Sequence, residues 1–258
     1  MSFLEHLEEL RWTLIRAFIA ILLGAIGLFF AKNWLFDYVV LAPKDQDFLT
    51  YQLFCDLSNA LHLGDKLCLG DIPLTLQNIT MSGQFSTHIV VSLIGGFILA
   101  FPYVVFEAWR FLKPGLREGE KKLARGIVFY ASLLFMSGVL FGYYLIAPLS
   151  VQFLGGYQVS EAVANQISLN SFITTVTTVT LASGLVFQLP IVIYFLAKIG
   201  LVTPAFLKKY RKHALVVVLI LSAVITPPDI TSQILVALPI LLLYEVSIII
   251  ARKIQSKP

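Results

Sequence analysis

The sequence predicts an all-α membrane protein with six transmembrane helices, and three observations carry that expectation. Its 258 residues are 58% hydrophobic and only 13% charged, with a mean hydropathy of +0.84, against about 45–50% and about 25% in soluble domains. A soluble core cannot absorb that much apolar surface. The apolar residues also gather into six runs. Finally, the basic residues cluster in short gaps between those runs. This is the pattern of loops between spans, not of a nucleic-acid face, despite the net charge of +4.

A span needs about 20 mostly apolar residues to cross about 30 Å of hydrocarbon. The runs lie at about 14–36, 86–111, 126–147, 169–197, 212–226 and 231–250, and together they make residues 1–258 a single polytopic domain. The first run follows Glu5, Glu8 and Glu9, with no basic leader and no small-residue cleavage site, so it is expected to remain as a span. The fifth has only 12 uninterrupted apolar residues, 214–225, about 18 Å of helix. It reads either as a short span that thins the bilayer or as a re-entrant segment, and the basic cluster at 208–212 before it favours the span. A long insertion (37–85) is expected to form a structured outer loop between spans 1 and 2, and a moderate insertion covers 148–168. Basic loops occupy 112–125 and 198–211. Thr226-Pro227-Pro228-Asp229 makes a tight turn, with Asp229 or Thr231 capping the sixth helix.

Orientation follows from charge. Of the 19 Lys and Arg residues, 16 sit at the N-terminus, in the two basic loops, in the C-terminal tail or on their flanks; Lys32, Lys44 and Lys66 lie on the other face. The positive-inside rule then places both termini in the cytoplasm. An odd number of spans would break the alternation.

Enzyme chemistry finds little support. His6, His62, His88 and His213 are scattered, and no metal-ligand spacing, nucleophile elbow or phosphate-binding loop occurs. The sequence therefore predicts no metal, no cofactor and no catalytic residue. Cys55 and Cys68 share the long outer loop, in an oxidising compartment, and are either a disulfide or two thiols on apolar faces of loop helices. The remaining informative residues are polar groups in or beside the spans. Gln188 precedes Pro190 below a Thr-rich face; it bonds either local backbone, where Pro190 frees the Val186 carbonyl, or a neighbouring helix of its own chain, or else it docks a helix of another subunit. Glu107 and Glu245 lie near the inner ends of spans 2 and 6, where Arg110 and Arg252 are the expected counter-charges. The run from Ser2 to Glu5 fits a capping box. It starts a helix with Leu4, Leu7 and Leu10 on one face and Glu5, Glu8 and Glu9 towards the other. That acidic surface reads as a solvated face offsetting Arg11 and Arg16, or as a receptor for a basic ligand, with Glu118 and Glu120 in the same compartment.

Four strings carry a resemblance. They are His6-Leu7-Glu8-Glu9-Leu10-Arg11; Phe111-x-x-Pro114-x-Leu116 followed by Glu120-Lys121-Lys122; Phe187-Gln188-Leu189-Pro190; and Thr226-Pro227-Pro228-Asp229 followed by Ser232-Gln233. In this order and spacing the chain resembles the TatC family, the multispanning core of the twin-arginine protein translocase, nearly end to end, least over residues 44–80. The resemblance implies a non-enzymatic receptor and scaffold in the inner membrane of a cell, exporting folded proteins at the expense of the proton-motive force. It implies that Glu9 and Glu120 meet the two arginines of a signal peptide on the cytoplasmic side, in a patch shaped by Arg11, Phe111, Pro114 and Leu116. A guanidinium pair needs fixed carboxylates, and bidentate bonding discriminates against Lys. The resemblance further implies single-span TatA- and TatB-type partners docking at Gln188 and Pro190, further copies of the chain itself, and a family position at Pro43 on the outer side. The family often has Glu where this chain has Gln188, and a Gln cannot relay protons. Among other classes, a secondary transporter would show matched broken helices at the midplane, for which Pro102, Pro190 and Pro239 are unmatched candidates. An intramembrane hydrolase would rest on Ser183 or Asp229.

Overall fold

The computed structural model describes residues 3–45, 47–62, 68, 75–112, 124–160, 165–226 and 230–255. The capping Ser2, the acceptor candidate Glu118 and residues 227–229 of the Pro-Pro turn lie outside them. Among the described residues, five helical stretches are long and apolar enough to cross a membrane, and the helix at the fifth expected span is shorter.

Helix α1 (Phe3–Phe30) runs antiparallel to α3 (Gly83–Leu112). Their approach depends on small residues: a Cβ built on Gly96 would fall 2.5 Å from the Ala25 backbone nitrogen and 2.8 Å from the Ile21 carbonyl oxygen. In a bilayer, where apolar surface gains little by leaving lipid for protein, such close backbone contact is what holds helices together. Beyond Phe30 the chain passes through a helical turn (Lys32–Trp34), a wider π-helical turn (Leu35–Val40) and a 3₁₀ turn (Ala42–Lys44). It then forms α2 (Leu49–Ala60) in the long insertion.

The third long stretch is α4 (Ala124–Phe141), a π-helical turn (Gly142–Ile146) and α5 (Ala147–Gly156) in unbroken succession. The helix thus runs on through residues 148–156, into the stretch that the sequence assigned to the moderate insertion. Pro148 lies inside this continuous helix and cannot donate to the Tyr144 carbonyl; the wider π-helical turn before it makes room for its ring, and the Thr50 hydroxyl supplies the missing donor. The π turn also aims Tyr143 and Tyr144 at the insertion. Tyr143 donates to the Val39 carbonyl at 2.6 Å, and Thr50 donates to the Tyr144 carbonyl. Phe48 packs against both tyrosine rings. The Tyr51 hydroxyl lies 2.9 Å from the Pro43 carbonyl and 3.2 Å from that of Pro148, and burial pushes its pKa up to about 12. The insertion is therefore a cap fastened to α4 and α5. A two-residue parallel ladder, β1 (Leu76–Gln77) with β2 (Ile167–Ser168), ties it to the second insertion and is the one departure from all-α structure among the described residues.

Cys55 and Cys68 are joined in a disulfide. Closing a loop of 13 residues removes unfolded-state entropy worth about 3 kcal/mol. Cys55→Ser is expected to lower the thermal midpoint of the oxidised protein and to leave it insensitive to reductant, as read by thermal unfolding with and without dithiothreitol.

Helix α6 (Leu169–Val186) starts at Ser168, whose Oγ accepts from the Ser171 N–H at 3.2 Å. It packs on α4 through Gly138, Gly142 and Gly184, where an added Cβ would meet Ser183 or Phe135 at 2.7–2.9 Å. A turn at Phe187 and Gln188 separates it from α7 (Leu189–Lys198), which Pro190 opens. A short α8 (Pro204–Lys209), capped by Thr203, leads to α9 (Arg211–Ile225) and α10 (Ile230–Gln255). At 15 residues α9 spans about 22 Å, whereas α10, with 26, reaches about 39 Å. Of the six expected spans the fifth is the short one among the described residues, and the sixth continues five residues past its predicted end. Buried clusters run through the bundle, from Leu35, Val91 and Phe172 beneath the cap, through Phe101 stacked on Phe135 at 3.5 Å, to Ile193, Tyr244 and Ile248 at the far end.

Candidate functional site

The start of α1 and the end of α3 border an open polar cavity of about 360 Å³ lined by Glu5, Glu8, Glu9, Trp12, Arg16 and Arg110. Helical spacing places Glu5, Glu8, Glu9 and Trp12 along one side of α1. The pair is held together at this end by His6, whose ring stacks on Phe111 at 4.4 Å. Behind the cavity sits Glu107, only 1% exposed. Its Oε2 accepts from the Arg16 Nε at 2.8 Å, and its Oε1 lies 3.8 Å from Arg110. A buried carboxylate in an apolar helix requires such partners. Arg16, from the facing helix, is thus held by Glu107, with Arg110 alongside at longer range. Glu9 Oε2 is buried and has no hydrogen-bond partner among the described residues. A desolvated carboxylate oxygen without a donor costs free energy that an incoming guanidinium would recover.

The remaining expected residues fall as follows. Arg11 is exposed, with its guanidinium 5.7 Å from the Trp12 ring centre, and does not line the cavity. Pro114, Leu116 and Glu120 lie outside the described residues, as do the side chains of Leu4 and Thr231 and the whole of Asp229. Pro43 is buried in the cap. Gln188 donates through Nε2 to the Ala131 carbonyl of α4 at 3.1 Å; of the two intrachain partners considered, the neighbouring helix and not the Val186 carbonyl takes the bond. Pro190 is buried beside it. Glu245 pairs with Arg211 at 2.6 Å, because the start of α9 lies nearer than Arg252 of its own helix. The Arg16–Glu107 pair was not foreseen. Its signal is in the sequence: Glu107 is the one acidic residue in residues 83–111, so a cation from a facing helix was required.

No group of three or more His, Cys, Asp or Glu among the described residues is arranged to hold a metal ion. Contacts gather the start of α1, the end of α3, the end of α7, the start of α9 and the end of α10 at one end of the bundle, through His6–Phe111, Trp109–Phe195 and Arg211–Glu245. A family model described as TatC, Sec-independent protein translocase protein, matches residues 5–239. The chain belongs to the TatC family. A TatC protein of Blattabacterium sp. subsp. Periplaneta americana is 41% identical over 258 residues, covering 100% of this chain and 97% of its own. One from Desulforapulum autotrophicum is 36% identical, with 99% and 86% covered. A crystal structure of a twin arginine translocase receptor, TatC, in DDM superposes with a TM-score of 0.73 at 31% identity, over 95% of this chain and 98% of that one. The chain is thus a multi-pass membrane protein and a translocase subunit rather than an enzyme.

Proposed function

We propose that this TatC-family chain is the receptor and scaffold subunit of a translocase for folded proteins, and that the cavity at the start of α1 reads the twin-arginine motif of their signal peptides. The observation that carries this reading is the buried Glu9 Oε2, which has no hydrogen-bond partner among the described residues, in a cavity whose two arginines lean on Glu107. One guanidinium enters beside Glu9. The second meets Glu120, which follows Phe111, Pro114 and Leu116 in sequence, with Arg11 at the rim. In this reading six helices cross the membrane, α9 as a locally thinned span, and both termini are cytoplasmic, since the end of the bundle that holds the cavity also carries Lys198, Lys208, Lys209, Arg211, Arg252 and Lys253.

Glu9→Gln and Glu120→Lys are each expected to weaken binding of a synthetic RR signal peptide by at least tenfold and to stop export of an RR reporter, while membrane insertion is unchanged. Export at the unaltered rate in either variant overturns the assignment. TatA- and TatB-type single-span subunits and further copies of the chain complete the proposed assembly, which draws on the proton-motive force. For partner docking, the relevant feature is the break between α6 and α7, where Gln188 holds α4 and Pro190 interrupts backbone pairing. Gln188→Leu is expected to reduce co-purification of single-span partners severalfold, and full retention would remove Gln188 from the docking site.

A further inference from the structure

At the opposite end of the α1/α3 pair lies the larger cavity, about 770 Å³, between the chain leaving α1 and the start of α3. Its charged lining is Lys32, Asp37 and Lys44, joined by the amide of Gln84. Neither Lys32 nor Asp37 forms an ion pair among the described residues, and Lys44 stands 3.9 Å from the exposed Asp45, a contact worth little in water. On one wall is His88, whose Nε2 lies 3.1 Å from the Phe29 carbonyl and whose ring stacks on Phe29 at 4.1 Å.

The depth of this cavity is marked independently. Residues 17–31 carry no charge, and Lys32 is the first charged residue after Arg16. Around this level Phe30, Trp34, Tyr38 and Phe85 are 82%, 56%, 74% and 62% exposed, the aromatic belt expected where hydrocarbon gives way to headgroups. Phe85 also lines the cavity. One turn further along α3, Ile89 continues the exposed apolar track into the hydrocarbon zone.

We propose that this cavity binds one phospholipid of the adjoining leaflet, of the class that carries a primary ammonium on its phosphate, as phosphatidylethanolamine does. The phosphate lies between Lys32 and Lys44, the ammonium meets Asp37, and one acyl chain descends along Phe85 and Ile89. Two cations with one carboxylate match a zwitterionic headgroup better than a purely anionic one, because an anionic headgroup leaves Asp37 facing like charge. Bound lipid would brace the cap against the first helix pair, a role separate from signal-peptide reading at the other end.

The test is native mass spectrometry of the full chain in detergent with equimolar phosphatidylethanolamine and phosphatidylglycerol. The unaltered protein is expected to retain one lipid, with phosphatidylethanolamine preferred at least fivefold. Lys32→Gln/Lys44→Gln is expected to lower retention of both lipids at least tenfold, and Asp37→Asn to abolish the preference. Retention unchanged in the double variant, or phosphatidylglycerol preferred by the unaltered protein, overturns the proposal. A second measurement needs no variant: a photoactivatable phosphatidylethanolamine should label peptides containing residues 32–44 and 84–89. Labelling confined to other segments overturns it equally.

Discussion

Gly96→Leu is expected to unseat the first helix pair and to remove signal-peptide binding and export together, whereas Gly27→Ala leaves both intact. At Gly96 the obstacle to any side chain is backbone: the Ala25 nitrogen at 2.5 Å, the Ala25 Cα at 2.8 Å and the Ile21 carbonyl oxygen at 2.8 Å. The approach is mutual, since a Cβ on Gly24 would meet the Gly96 carbonyl oxygen at 3.1 Å. No rotamer relieves a clash that begins at Cβ, so α1 must move away from α3 along its length. Overpacking of a well-filled core typically costs about 1–3 kcal/mol. A backbone obstacle places this site at or above about 3 kcal/mol, a fall in thermal midpoint on the order of 10 °C for a chain of this size. The cavity holding Glu9 is built from the far ends of these two helices, so separating them also parts Glu107 from Arg16. Gly27 has nothing within 4 Å of an added Cβ and controls for helix propensity. Thermal unfolding in detergent, followed by peptide binding, reads both effects. A Gly96→Leu protein that melts with the parent would mean that α1 and α3 do not pack this closely.

The parts of this molecule that were legible in the sequence are those set by local chemistry. Apolar runs located the helices, and basic clusters such as Lys208 and Lys209 marked ends that the bundle does bring together. Glu8, Glu9 and Phe111 were singled out in separate strings 100 residues apart, and the fold places their helix ends side by side. What sequence periodicity could not supply were features decided by contact. The π turn at Gly142–Ile146 leaves the hydropathy pattern unchanged yet re-aims Tyr143 and Tyr144 at the cap. The helix through residues 148–156 falls in the stretch assigned to the moderate insertion; packing beneath the cap, with Ala147, Pro148 and Ser150 fully buried, keeps it helical. Gln188 was read as polar and in need of a partner, but only the crossing of α4 and α6 identifies Ala131 as that partner. The Arg16–Glu107 pair joins residues 91 positions apart, beyond any local rule.

That ion pair carries the other large expected effect. Arg16→Met should destabilise the protein by about 3–5 kcal/mol, because removing one partner strands a buried charge. Glu107 is 1% exposed, and Arg110, 3.8 Å away with its own side chain 58% exposed, is a poor replacement for Arg16 at 2.8 Å. Replacing both residues removes the stranded charge as well as the bond. Arg16→Met/Glu107→Met is therefore expected to recover most of the lost stability, and a double-mutant cycle gives the coupling directly. Peptide binding should not recover in parallel. Without Glu107, Arg110 is released towards Glu9, which lines the same cavity, and competes there with the incoming guanidinium. Adding Arg110→Gln to the double variant is then expected to restore binding about tenfold with little further change in melting. Should the double variant melt as low as Arg16→Met alone, Glu107 would have to be stabilised by something other than this pair, and its role in drawing Arg110 away from Glu9 would fall with it.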